Sequence, residues 1–138
     1  MPTDHDDYAE LSCYTLTHGD ASFIHQHVVD AFGAQLADDK TKPIALAFAL
    51  VGLYLHVEKQ FSGRQVQRAH TRLAQTKRTW PHFNMPTHRG TITVAEVLTA
   101  PAGPDRDHAI DAWCRSVWQA FDESHQKVAN LLREQGIV

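Results

Sequence analysis

A chain of 138 residues with 43% hydrophobic content can build one compact core, so a single domain over 1–138 is expected. A net charge of −3 and a pI near 6.3 argue against a nucleic-acid binder, which normally presents a strongly basic surface. Two cysteines, Cys13 and Cys114, offer neither a disulfide framework nor a paired-thiol zinc spacing.

Residues 1–19 show no sustained apolar period, and the segment is expected to be irregular. Asp4, Asp6, Asp7 and Glu10 make its start acidic, unlike a secretory signal, so a cytoplasmic protein is expected. Asp20 or Ser22 can cap a first helix running to about Ala37. The polar connection 38–42 then leads to Pro43, at the position where proline favours helix initiation. The second helix, "PIALAFALVGLYLHVEKQ", is apolar on every side up to His56 and is expected to be central and buried. Its apolar run, Ile44 to Leu55, is shorter than the ~20 residues of a membrane span and is interrupted by Gly52. No membrane association is therefore expected.

Ser62 and Gln65 form a capping box at the head of a third helix, in which Val66, Ala69, His70 and Leu73 alternate with a stripe of Arg64, Arg68 and Arg72. "WPHFNMPTHRG" is irregular, with two prolines and a glycine. Thr93 and Glu96 open a short helix. From Asp105, the spacing of Ile110, Trp113, Cys114, Val117, Trp118, Phe121, Val128, Leu131 and Leu132 predicts one long closing helix stopped by Gly136. The predicted architecture is an all-α single-domain bundle of about five helices around the second, with the fifth packed over it through Trp113, Val117 and Phe121.

Ten histidines raise the question of a metal. If the first three helices run up and down with tight turns, His27, His56 and His70 fall at one level, with His27 and His70 among inward-facing apolar neighbours. A buried imidazole lacking a partner costs about 1–3 kcal/mol, so such a cluster is cross-bonded or metal-bound. Three histidines leaving an open position suit zinc, iron, nickel or copper. Asp30, three residues after His27, can be a further ligand or an orienting acceptor. His25 and His27 lie about 200° apart on a helix, so they do not both reach one ion unless the stretch is extended, in which case His18 also joins. The predicted function is binding of a divalent transition metal, with hydrolase-like activation of a bound water as its catalytic extension and Tyr54 or Glu58 handling protons. Cys13 with His18 is a weaker nucleophile and base pair, lacking a third orienting group.

The stretch from Lys59 to Ala95 contains Lys59, Arg64, Arg68, Arg72, Lys77, Arg78 and Arg89 and no acid; the remainder holds six basic and sixteen acidic residues. Such asymmetry fits either internal pairing or a positive face. The alternative function is accordingly a non-enzymatic interaction module, in which Arg64, Arg68 and Arg72 hold an acidic partner or a phosphate; the expected partner is an unidentified small molecule or an acidic partner, with nucleic acid disfavoured.

The strings "DASFIHQHVVDAFGAQ", "KPIALAFALVGLYLHVEKQFSGRQVQRAH", "TWPHF" and "GTITVAEVL" resemble an uncharacterised bacterial domain-of-unknown-function family of small His-rich helical proteins, over nearly the whole chain from about Leu11. The resemblance implies a small bacterial helical protein and carries no established activity. Some members have a C-x-x-C pair before the histidine-rich helix; here only Cys13 is present.

Overall fold

The computed structural model describes residues 3–17, 20–76 and 79–138. Among the described residues, seven α-helices follow in order: α1 (Asp4–Thr17), α2 (His25–Gln35), α3 (Pro43–Lys59), α4 (Gly63–Gln75), α5 (Val94–Thr99), α6 (Pro104–Ala120) and α7 (His125–Glu134). A single 3-10 turn, Asp122–Ser124, separates the last two. The all-α class is as predicted; the helix count is higher, for two local reasons.

The first is α1, where an irregular segment was expected. Thr3 and Asp6 exchange two hydrogen bonds, Asp6 N to the Thr3 hydroxyl and Thr3 N to the Asp6 carboxylate, which satisfies free amides at the helix start. Within the helix only Leu11 and Thr15 are buried, too few to leave an apolar period in the sequence. Tyr8 completes the docking by stacking on Phe32 of α2, with centroids 4.1 Å apart.

The second reason is a break in the closing helix. The chain leaves α6 at Phe121, whose side chain is buried, and re-enters a helix at His125. His125 stacks on Trp118 at 3.8 Å, and its Nε2 lies 2.8 Å from the Trp118 carbonyl. Because α7 buries Val128, Leu131 and Leu132 in the same core, the apolar spacing runs on through the break and reads as one helix.

Proline at the start of α3 and the reciprocal Ser62–Gln65 box of α4 are present as predicted. α3 is the central element: Leu46, Ala47, Ala49, Leu50, Val51, Leu53 and Leu55 are buried, and α2, α4, α6 and α7 all pack on it. Trp113, Val117 and Phe121 are fully enclosed, as expected of the closing layer. α2 begins later than predicted. Asp20 instead caps a turn ahead of it, accepting from Ile24 N and the Ser22 hydroxyl, and Phe23 adopts φ 61°. The helix ends at Gln35 rather than Ala37. There Arg89 Nη1 donates to the Ala37 carbonyl, placing a cation at the helix C-terminus, where the dipole favours it.

Candidate functional site

The α2–α3 hairpin brings two of the predicted histidines together. His27 and His56 stack with centroids 3.7 Å apart and ring planes inclined by 23°. His56 Nε2 donates to Asp111 Oδ1 on α6 at 2.9 Å, and Asp111 Oδ2 accepts from Arg115 Nε at 2.8 Å. His56 Nδ1 faces the Phe61 carbonyl at 3.3 Å. Both nitrogens of this ring therefore face oxygen acceptors.

Asp30, one turn after His27 on α2, and Cys114 of α6, which faces the same helix, are both buried. Gln26 Nε2 donates to Asp30 Oδ1 at 3.2 Å, and the Cys114 thiol points at the His27 carbonyl, 3.6 Å away. His27 Nδ1 and Asp30 Oδ2 are buried and have no hydrogen-bond partner. Gly52 makes room for this layer: a Cβ there would fall 1.8 Å from Asp30 Oδ2.

Burial sets the electrostatics. It pushes His27 down to about 3, helped by the neighbouring His56, and holds the Asp30 carboxyl well above the usual carboxylate range. It also raises the Cys114 thiol, assisted by the charges of Asp30 and Asp111. Each of these groups is pushed toward its neutral form, as expected where water is excluded. At the rim, burial also works to raise Asp111, but the hydrogen bond and charge of Arg115, together with His56, outweigh it and leave Asp111 lowered.

His70 does not join the layer. Its Nε2 lies 2.8 Å from the Phe48 carbonyl, more than a turn further along α3. The cause is the turn after α3, where Gln60 takes a left-handed conformation and Phe61 N bonds back to the Leu55 carbonyl. This closure sets residue 61 level with 55, so α4 starts further back along α3 than a minimal hairpin allows. The predicted three-histidine level is thereby undone. Among the described residues, no three histidine, cysteine or carboxylate groups form a ready ion-binding cluster. His25 turns toward α1, its Nδ1 2.8 Å from the Thr15 hydroxyl, so His25 and His27 diverge as their spacing predicts. His18 lies outside the described residues. Cys13 is an exposed free thiol. Glu58 accepts from Trp118 Nε1 and Tyr54 packs edge-on to the same indole, so both predicted proton carriers are engaged with Trp118.

The arginine stripe is only partly available. Arg64 sits over the Phe23 ring at 5.0 Å and donates to Gln67, while Arg72 donates to the Gly136 carbonyl. Arg68 and Arg72 flank a shallow depression of about 220 Å³ whose apolar floor includes Phe61, Ala69 and Ile137.

The sequence reading missed Asp111, Cys114 and Gly52. Asp111 and Cys114 are three apart on α6 and share a face, a signal masked by the surrounding apolar spacing. Gly52 within a strongly helical run was itself a sign of close approach.

These features define an all-helical bundle with a buried polar layer of histidine, carboxyl and thiol groups where α2, α3 and α6 meet. The chain belongs to the family of unknown function DUF5946, whose model matches residues 5–122. Comparison with curated proteins and with solved structures gave no match. Among the described residues, no helix is long and apolar enough to cross a membrane.

Proposed function

We propose that the protein binds one divalent transition-metal ion in the polar layer, through His27, His56 and Asp111, with Asp30 behind His27. The carrying observation is the pair of buried, unpartnered polar atoms, His27 Nδ1 and Asp30 Oδ2. Each such atom costs about 1–3 kcal/mol, and a cation in the layer offsets that cost. Relative to the three-histidine prediction, Asp111 takes the place of His70, which is held by the Phe48 carbonyl. Binding requires His56 to release Asp111, so that the ring nitrogen and the carboxylate both turn to the ion. Imidazole with carboxylate suits zinc, iron, nickel or copper. An exchangeable position on the ion is what a hydrolase-like activity would need. The setting we propose is a reducing cytoplasm, supported by two unpaired thiols.

Elemental analysis of tag-free protein, after reconstitution with each of the four metals, tests this reading. About one ion per chain is expected, with His56→Gln and Asp111→Asn losing it and His70→Ala retaining it. At a free metal concentration about a hundredfold above Kd, the gain in stability is about 2.7 kcal/mol, and a chelator reverses it. Negligible metal in the wild type under every condition overturns the proposal.

A second reading uses the depression beside Arg68, where a cationic rim over an apolar floor suits an anion with an apolar body. Binding of a medium-chain alkyl phosphate should weaken steeply as salt rises and be lost in Arg68→Glu. Retention of binding in that variant overturns it.

A further inference from the structure

Away from the polar layer, the segment 84–88 and the turn that joins α6 to α7 line a cavity of about 300 Å³. The segment is tied to the helices on both sides of the cavity. Lys127 of α7 donates to the His82 carbonyl at 2.6 Å, Arg89 Nε donates to the Pro86 carbonyl, and Gln35 of α2 donates to the Arg89 carbonyl. The space is thus formed before anything binds, and its volume lies at the small end of ligand sites. It suits a small molecule.

Ser124 lines this cavity and is 3% exposed. It stands at the N-cap of α7, where a serine hydroxyl ordinarily accepts from a backbone amide two or three residues on. Here it makes no capping bond and bonds to no other described residue. A hydroxyl buried without a partner is costly unless something in the cavity bonds to it. Asp122 and Glu123 line the same cavity from exposed positions, and among the described residues neither is in an ion pair. The helix dipole favours acids at this end of α7, which accounts for their place but not for the idle hydroxyl or the cavity. That dipole is worth about half a positive charge, against two carboxylates, so the local field favours a cation. Met85 and Pro86, both half-buried, add an apolar wall.

We propose that this cavity binds a small organic cation, a primary ammonium group on a short apolar body. The ammonium donates to Ser124 Oγ and to the carboxylates of Asp122 and Glu123, while the apolar body lies against Met85 and Pro86. No residue is shared with the metal-binding reading, so the two stand or fall separately.

Pentylamine, a cation at neutral pH, is the probe, with pentanol and pentanoate as its neutral and anionic counterparts. Each is titrated into the isotope-labelled full chain while backbone amide resonances are followed. Saturable shifts at 84–88 and 120–124 are expected with pentylamine, the counterparts binding at least about tenfold more weakly, as loss of hydrogen bonds to a charged group implies. The affinity should also fall as salt rises. Asp122→Asn combined with Glu123→Gln keeps the shape of both exposed side chains and should weaken pentylamine by roughly tenfold or more, and Ser124→Ala should weaken it by roughly threefold or more. If Ser124→Ala fails to fold, the double variant alone decides. Equal affinity for pentanol or pentanoate, unchanged pentylamine affinity in the double variant or in a folded Ser124→Ala, or no saturable shift at these residues overturns the proposal.

Discussion

Gly52→Ala is expected to destabilise the protein by about 3 kcal/mol, at the upper end of what overpacking a core costs, and to lower Tm by roughly 10 °C. The added methyl would sit 1.8 Å from Asp30 Oδ2 and 2.4 Å from its Cγ. Asp30 is a short side chain with 3% of its surface exposed, so it has little room to swing away. Either α2 and α3 separate, which opens the tightest part of the core, or Asp30 rotates and loses its hydrogen bond from Gln26. Both routes also disturb the stacking of His27 on His56, one helical turn away. The explanation is specific to one pair of residues, so removing the other partner should relieve it. Asp30→Ala in the Gly52→Ala background is expected to recover at least about 1 kcal/mol relative to the additive expectation, the coupling usual for residues in contact. Thermal melts of the two single variants and the double variant measure it. A neutral Gly52→Ala, or strict additivity in the double variant, would show that the carboxyl does not determine the glycine.

What could be read from the sequence follows from which interactions are local. Ser62 with Gln65, Pro43, and the left-handed Gly136 are determined within a few residues, and each stands where the sequence put it. The burial of α3 is equally local, because a helix apolar on every side has no face to offer water. The meeting of His27 with His56 followed from hairpin geometry alone, since α2 and α3 are joined by a short polar connection. His70 failed for a reason no periodicity carries. The hydrogen bond from Phe61 N to the Leu55 carbonyl fixes the register of the next helix, and it depends on one left-handed residue, Gln60, which is not a type that announces such a turn. Asp111 and Cys114 reach the layer from a helix more than fifty residues away in the chain; their contribution depends on how α6 crosses α2 and α3. The break at Phe121 was hidden because α7 continues to bury the same core.

In the metal-free protein, His27 and Asp30 should give stability opposite dependences on pH. The His27 ring titrates at about 3 in the fold against 6.5 in an exposed chain. The unfolded chain therefore binds a proton first as pH falls, and stability contributed by the neutral buried ring is lost between about pH 6.5 and about pH 3. Asp30 behaves in the reverse sense. Its folded carboxyl is raised well above its ordinary value of 3.8, so it keeps its proton where the unfolded chain has released it. Its contribution is present below the unfolded value and is lost as pH rises toward the folded one. In the wild type these trends oppose each other above about pH 4, and the net profile is shallow. Single variants separate them. Asp30→Asn keeps the shape and neutrality of the protonated acid and leaves His27 to act, so its stability should climb from about pH 4 to about pH 6, by at most about 1.4 kcal/mol per pH unit. His27→Gln leaves Asp30 to act, and its stability should decline across the same range. Urea midpoints of the two variants, measured with a chelator present, give the slopes directly. Parallel profiles would mean that neither group is held neutral by burial in this layer.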